Sequence, residues 1–175
     1  MNSRFCRGIA AALVILTIGG AAQGQSKSAL DLLTQSVISG RIDRVIVYQA
    51  IGVDTNHQMA PQSLTLYYTQ KLEYRIENQR QRDSLVAMLK STTVAPSDRG
   101  ADVRAGIIFI ESDHGRGSPP DTGKRYGIFC DEFGKFGYMG EIGKDWQHSG
   151  GPGTGISING AMLSFISRLF YRADR

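Results

Sequence analysis

RYGIFCDEFGKFGYMGE, residues 125–141, is the stretch on which the fold turns. Two runs rich in aromatic and aliphatic residues, 125–131 and 136–141, flank Glu132 to Lys135, where Gly134 is free to take the positive φ of a tight turn. The stretch reads as a β-hairpin. Just upstream, Gly106 to Glu111 (GIIFIE) is apolar at consecutive positions, as in an interior strand buried on both faces. A strand before a hairpin, with no helical crossover, makes an antiparallel meander.

Further out, Arg44 to Ile51 (RVIVYQAI) is β-branched and reads as a strand, and Leu64 to Tyr68 (LTLYY) alternates like another. Between them lies a loop with Asp54, Asn56, His57 and Pro61. Leu72, Tyr74 and Ile76 alternate with Lys71, Glu73 and Arg75, a half-buried strand pattern. Three helices are expected. Ser28 and Asp31 start one whose Leu30, Leu33, Val37 and Ile38 share a face, with Gly40 as its stop. Asn78 with Gln81 caps a second, with Leu85, Val86 and Leu89 inward. Ser157 or Asn159 opens the third, with Met162, Phe165, Ile166, Leu169 and Phe170 on one apolar face. Helices and strands do not alternate regularly, which excludes a doubly wound parallel sheet. The expected class is α+β: two layers, a mainly antiparallel sheet with helices packed on one face, after a cleaved signal peptide.

That signal peptide is the opening MNSRFCRGIAAALVILTIGGAAQGQS. Arg4 and Arg7 precede an apolar core of ten residues, Ile9 to Ile18, and Ala22-Gln23-Gly24 resembles a small-residue cleavage site. The core is shorter than the about 20 apolar residues a membrane-spanning helix needs, which disfavours an uncleaved anchor. Cleavage after Gly24 leaves residues 25–175 as a single domain in the periplasm or the medium, with no stable membrane insertion. A lipid-anchored protein is disfavoured because Cys6 precedes the apolar core. The leader carries two basic and no acidic residues, so the charge falls from +4 to +2 on processing. A surface so nearly balanced has no nucleic-acid footprint. Arg75, Arg80 and Arg82, interspersed with acids, read as a solvated helix start. Only Cys130 remains after cleavage, so no intramolecular disulfide forms. Cys130 shares a strand face with Tyr126 and Ile128, and burial is the reading for it.

Catalytic patterns are sparse. The mature chain has neither a GxSxG nor an SxxK pattern. Gly151 to Gly155 resembles a phosphate-binding loop in glycine content, but Gly155-Ile156-Ser157 stands where Gly-Lys-Ser/Thr is required, so a hinge before the last helix is expected. Residues 113–124 and 143–155 form loops longer than the usual about 4 to 6 residues, and such loops are functional or disordered. In a meander they leave the same sheet edge, which brings Asp113 and His114 toward Asp145 and His148. With His57 these residues are suitable ligands for a divalent metal, although their spacing matches no ligand motif. Aromatic residues at turns and strand ends, Tyr67, Tyr74, Phe133, Phe136, Tyr138 and above all Trp146 beside Lys144, Asp145 and Gln147, are suitable binding anchors. The functional expectation is an exported, non-enzymatic binding module without a cofactor, an inhibitor, immunity-like or envelope assembly factor, whose partner is a protein of the cell envelope or medium. The alternative is a secreted hydrolase or metal-dependent enzyme using the loop His and Asp residues.

Overall fold

The computed structural model describes residues 29–50, 52, 58–112, 123–143 and 154–173. Helix α1 (29–38) leads through the left-handed Gly40 into strand β1 (Ile42–Gln49). Helix α2 (Pro61–Tyr67), strand β2 (Gln70–Arg75), helix α3 (Gln79–Ser91) and strand β3 (Thr93–Pro96) follow. Then come β4 (Ala105–Glu111), β5 (Arg125–Cys130), β6 (Phe136–Ile142), β7 (Thr154–Asn159) and helix α4 (Met162–Ala173). The strands form one seven-stranded sheet in the order β2-β1-β4-β5-β6-β7-β3, antiparallel at every junction. The α+β class and the antiparallel sheet stand as expected from the sequence.

β4 is interior, with β1 and β5 as neighbours, and both of its apolar faces are buried. β5 and β6 form the hairpin, and Gly134 in its turn has φ +66°. One face of the sheet presents Val45, Val47, Ile107, Phe109, Ile128, Cys130, Met139, Ile156 and Ile158 to the buried faces of α1, α3 and α4. A register shift between Ile42 and Arg44 lets Ile42 share this face with Val45 and Val47, which simple alternation would forbid. The opposite face carries a second core of Tyr48, Ile108, Ile110, Phe129 and Ile142, and Leu64 of α2 packs there. The expectation of helices on a single face therefore fails at α2. Three described helices lie on one side and one short helix on the other, because the sheet's central strands are apolar on both faces.

Further expectations are corrected. Leu64 to Tyr68 is helical through Tyr67, not a strand: Pro61 occupies the first turn, where its fixed φ favours helix, and Leu64 is fully buried while Leu66 and Tyr68 are exposed. Residues 154–159 form β7 and not the end of a hinge or the start of a helix, with Ile156 and Ile158 buried on the helix-covered face. Thr93 to Pro96 pairs with β7 as the edge strand β3, which no local pattern of the sequence announces. Gly155 allows that pairing, since a Cβ there would stand 2.5 Å from the Ser97 carbonyl oxygen. Ile38 of α1 is exposed, although its sequence position suggested the inward face.

Candidate functional site

Strand β2 runs directly into α3, and the junction is set by a capping box. Gln81 N–H donates to Asn78 Oδ1 at 3.0 Å and Asn78 N–H donates to Gln81 Oε1 at 3.3 Å. Glu77 N–H also donates to Gln81 Oε1, at 2.8 Å. Both side-chain carbonyl oxygens are thereby occupied, and the two side-chain NH₂ groups remain as donors. The first turn of α3 contains no acid, the residue type its dipole favours, and instead carries Arg80 and Arg82. Arg82 has a structural task, donating to the Val37 carbonyl oxygen at 2.8 Å and so capping the C-terminal end of α1. Arg80 has no ion-pair partner among the described residues.

Helix α4 starts where α3 ends. A Cβ on Gly160 would lie 2.6 Å from the Ser91 carbonyl oxygen, and the positive φ of +148° there turns the chain back. Met162, Phe165, Ile166 and Phe170 face the core, and Arg168 stands on the exposed side past the middle of the helix, its Nε donating to the Ser164 carbonyl oxygen at 3.2 Å. Between α3 and α4 lies a groove of about 800 Å³, within the roughly 300–1,000 Å³ range of ligand sites. Its floor is Leu72, Tyr74, Met88, Phe165 and Leu169, and its α3 wall is made of the small residues Ser84, Ala87 and Ser91. Arg80, Arg168, Asn78 and Gln81 also line it, and no Asp, Glu or Lys of the described residues does.

Every polar group that lines the groove and remains uncommitted is able to donate a hydrogen bond. Burial pushes the Tyr74 phenol up to about 12, so its hydroxyl stays protonated, and it has no hydrogen-bond partner among the described residues. Arg168 keeps its terminal nitrogens free of any carboxylate of the described residues. With two guanidinium groups and no anion among the described residues that line it, the groove attracts acidic groups.

The residues singled out from the sequence are placed differently. Trp146, His57, His114, His148, Asp113 and Asp145 lie outside the described residues, as does the leader. Among the described residues, no group of three or more His, Cys, Asp and Glu side chains is arranged to hold a metal ion. Phe133 is 67% exposed in the β5–β6 turn. Phe136 and Tyr138 are half-buried on the sheet face opposite the groove, the first beneath the Arg99 guanidinium at 4.5 Å and the second accepting from Ala101 N–H at 3.4 Å. Cys130 is fully buried, and burial, assisted by Asp131, pushes its thiol up to about 12, so it offers no thiolate for chemistry near neutrality. The groove itself was not anticipated. Its sequence signals are Tyr74, one of the candidate aromatic anchors, and Arg80 in an acid-free first turn, which the mixed charges of residues 73–83 disguise as a solvated surface. Compared with family models, curated proteins and solved structures, the chain matches none.

Proposed function

We propose that the chain is an exported binding module whose mature part, residues 25–175, recognises a protein partner of the cell envelope or medium through the groove between α3 and α4. The observation that carries this reading is the groove's chemistry. Arg, Tyr, Phe and Met are enriched at protein interfaces while charged Lys, Asp and Glu are depleted, and among the described residues Arg80, Arg168, Tyr74, Phe165 and Met88 line the groove with no Lys, Asp or Glu, beside the small residues Ser84, Ala87, Ser91 and Ala161. Among the described residues, the exposed Arg80 and Arg168 have no carboxylate partner and the Tyr74 phenol has no hydrogen-bond partner, so all three are donors available to an acidic partner. The charge pattern of the leader supports export, and the exposed Phe133 supports a competing surface at the β5–β6 turn, continuous in sequence with Phe136 and Tyr138.

The test is to express the tagged chain with its own leader in its native cell, determine the N-terminus and identify cross-linked partners by mass spectrometry. Ala87 is exposed on the groove wall, so Ala87→Trp fills the groove without entering the core. The expected result is an N-terminus at Gln25 and a stoichiometric partner that Ala87→Trp loses and Phe133→Ala keeps. The opposite pattern moves recognition to the β5–β6 turn, and an unprocessed N-terminus overturns the export reading.

A further inference from the structure

We infer that the groove receives an acidic amphipathic α-helix of the partner, lying antiparallel to α3 with its C-terminal end against Arg80 and Arg168; this rests on the groove being the recognition site proposed above. Two features of the groove give it a direction. Because α4 begins beside the end of α3, the groove has one end at the first turn of α3 and the other at Ser91 and Ala161. The first end gathers the donors Asn78, Arg80, Gln81 and Tyr74, and Arg168 lines the groove from α4 about one turn past Phe165. The second end is apolar, with Ala87, Met88, Ala161 and Phe165, and the Ser91 hydroxyl there is already donating to the Met88 carbonyl oxygen at 2.8 Å.

An occupant that matches this gradient is apolar along one face and negative at one end. A helix meets both demands, since residues at i, i+3, i+4 and i+7 make an apolar stripe and the C-terminal carbonyls add partial negative charge to any carboxylates nearby. The length agrees, because the groove-lining part of α3, from Asn78 to Ser91, rises about 20 Å, or roughly four helical turns. Ser84, Ala87 and Ser91 are small enough to let the incoming backbone come near the about 8–10 Å interaxial distance of packed helices. The charges set the orientation. The partner's negative end belongs beside the two guanidinium groups, and the reverse pose would place its positive N-terminal end there instead.

The experiment selects from a displayed library of helical peptides on the mature protein, with counter-selection on Ala87→Trp, and measures the enriched peptides by fluorescence anisotropy. The expected winners carry apolar residues at helical spacing and Asp or Glu in their last turn. They lose about tenfold or more in affinity for each of Arg80→Gln and Arg168→Gln, the loss for a hydrogen bond to a charged group, while the melting temperature stays unchanged. Moving the acids of a winning peptide to its first turn weakens binding. Enriched peptides without acids, peptides with acids preferred in the first turn, no enrichment at all, or sub-micellar dodecanoate binding that depends on both arginines while no peptide is enriched each overturn the inference. If Ala87→Trp still abolishes capture of the native partner when the library yields no acidic helix, the groove remains the recognition site and only the helical occupant is rejected.

Discussion

A Cβ on Gly127 would stand 2.3 Å from the Phe129 ring, and one on Gly106 would stand 2.4 Å from it, so one side chain dictates both glycines. Gly106 is opposite Phe129 across the β4–β5 ladder, Gly127 precedes it by two residues on the same face, and the fully buried ring lies over the pair. Gly127→Ala is expected to destabilise by about 1–3 kcal/mol through overpacking, and Phe129→Ala by about 3–5 kcal/mol through the cavity it leaves. With the ring removed, Gly127→Ala should cost much less, a coupling that urea unfolding of the two single variants and the double variant measures. An equal cost in both backgrounds assigns the requirement to Ile142, whose Cδ1 would lie 2.8 Å from the new methyl group. At this scale the sequence was informative where one residue suffices: the burial of Cys130, the Asn78–Gln81 cap and the positive φ of Gly134 were all legible. The need for glycine at 106 and 127 was not, because it arises from a ring that register brings over them.

Helix α2 shows how an element is decided by its surroundings. Leu64, Leu66 and Tyr68 alternate as a strand would, yet only Leu64 is fully buried, and Leu66 is 66% exposed. The peptide groups agree with the helix, since Leu64 N–H donates to the Ala60 carbonyl oxygen at 3.2 Å. Leu64→Ala is therefore expected to cost about 2–5 kcal/mol and Leu66→Ala less than about 0.5 kcal/mol, read as shifts in the urea midpoint. Comparable losses at both positions would restore the strand. β7 was missed for a related reason: its glycine-rich approach resembles a hinge, and only pairing with β6 and β3 on both sides makes Ile156 and Ile158 a strand. The elements with strong local signals, β4, the hairpin and the apolar stripe of α4, needed no such help.

Over the whole molecule, two acids whose pKa is raised by burial, the enclosed Cys130 and the half-buried Tyr74, tie stability to alkaline pH. The Cys130 thiol rises from 9.0 to about 12 and the Tyr74 phenol from 10.0 to about 12, both through burial. Between the unfolded and folded values, the folded chain holds protons that the unfolded chain releases. The stabilisation is thus complete below pH 9 and falls as the pH rises toward 12, with a slope of up to about 1.4 kcal/mol per pH unit for each group. Urea unfolding from pH 8 to 11 should show this decline, and Cys130→Ala should flatten it above pH 9; an unchanged slope means that the thiol titrates freely in the folded protein. The candidate site also belongs to this scale, since β2, α3 and α4 supply its walls and no segment contains it. By itself, the sequence determined the α+β class, the antiparallel meander, the capped start of α3 and the inward faces of α3 and α4, because these follow from periodicity and cap chemistry within a few residues. Only the tertiary structure decided that the sheet is covered on both faces, that 93–96 and 154–159 pair at its far edge, and that Arg80 and Arg168 converge on one groove. Those outcomes depend on contacts between residues tens of positions apart, and neither local propensity nor hydrophobic period carries that information.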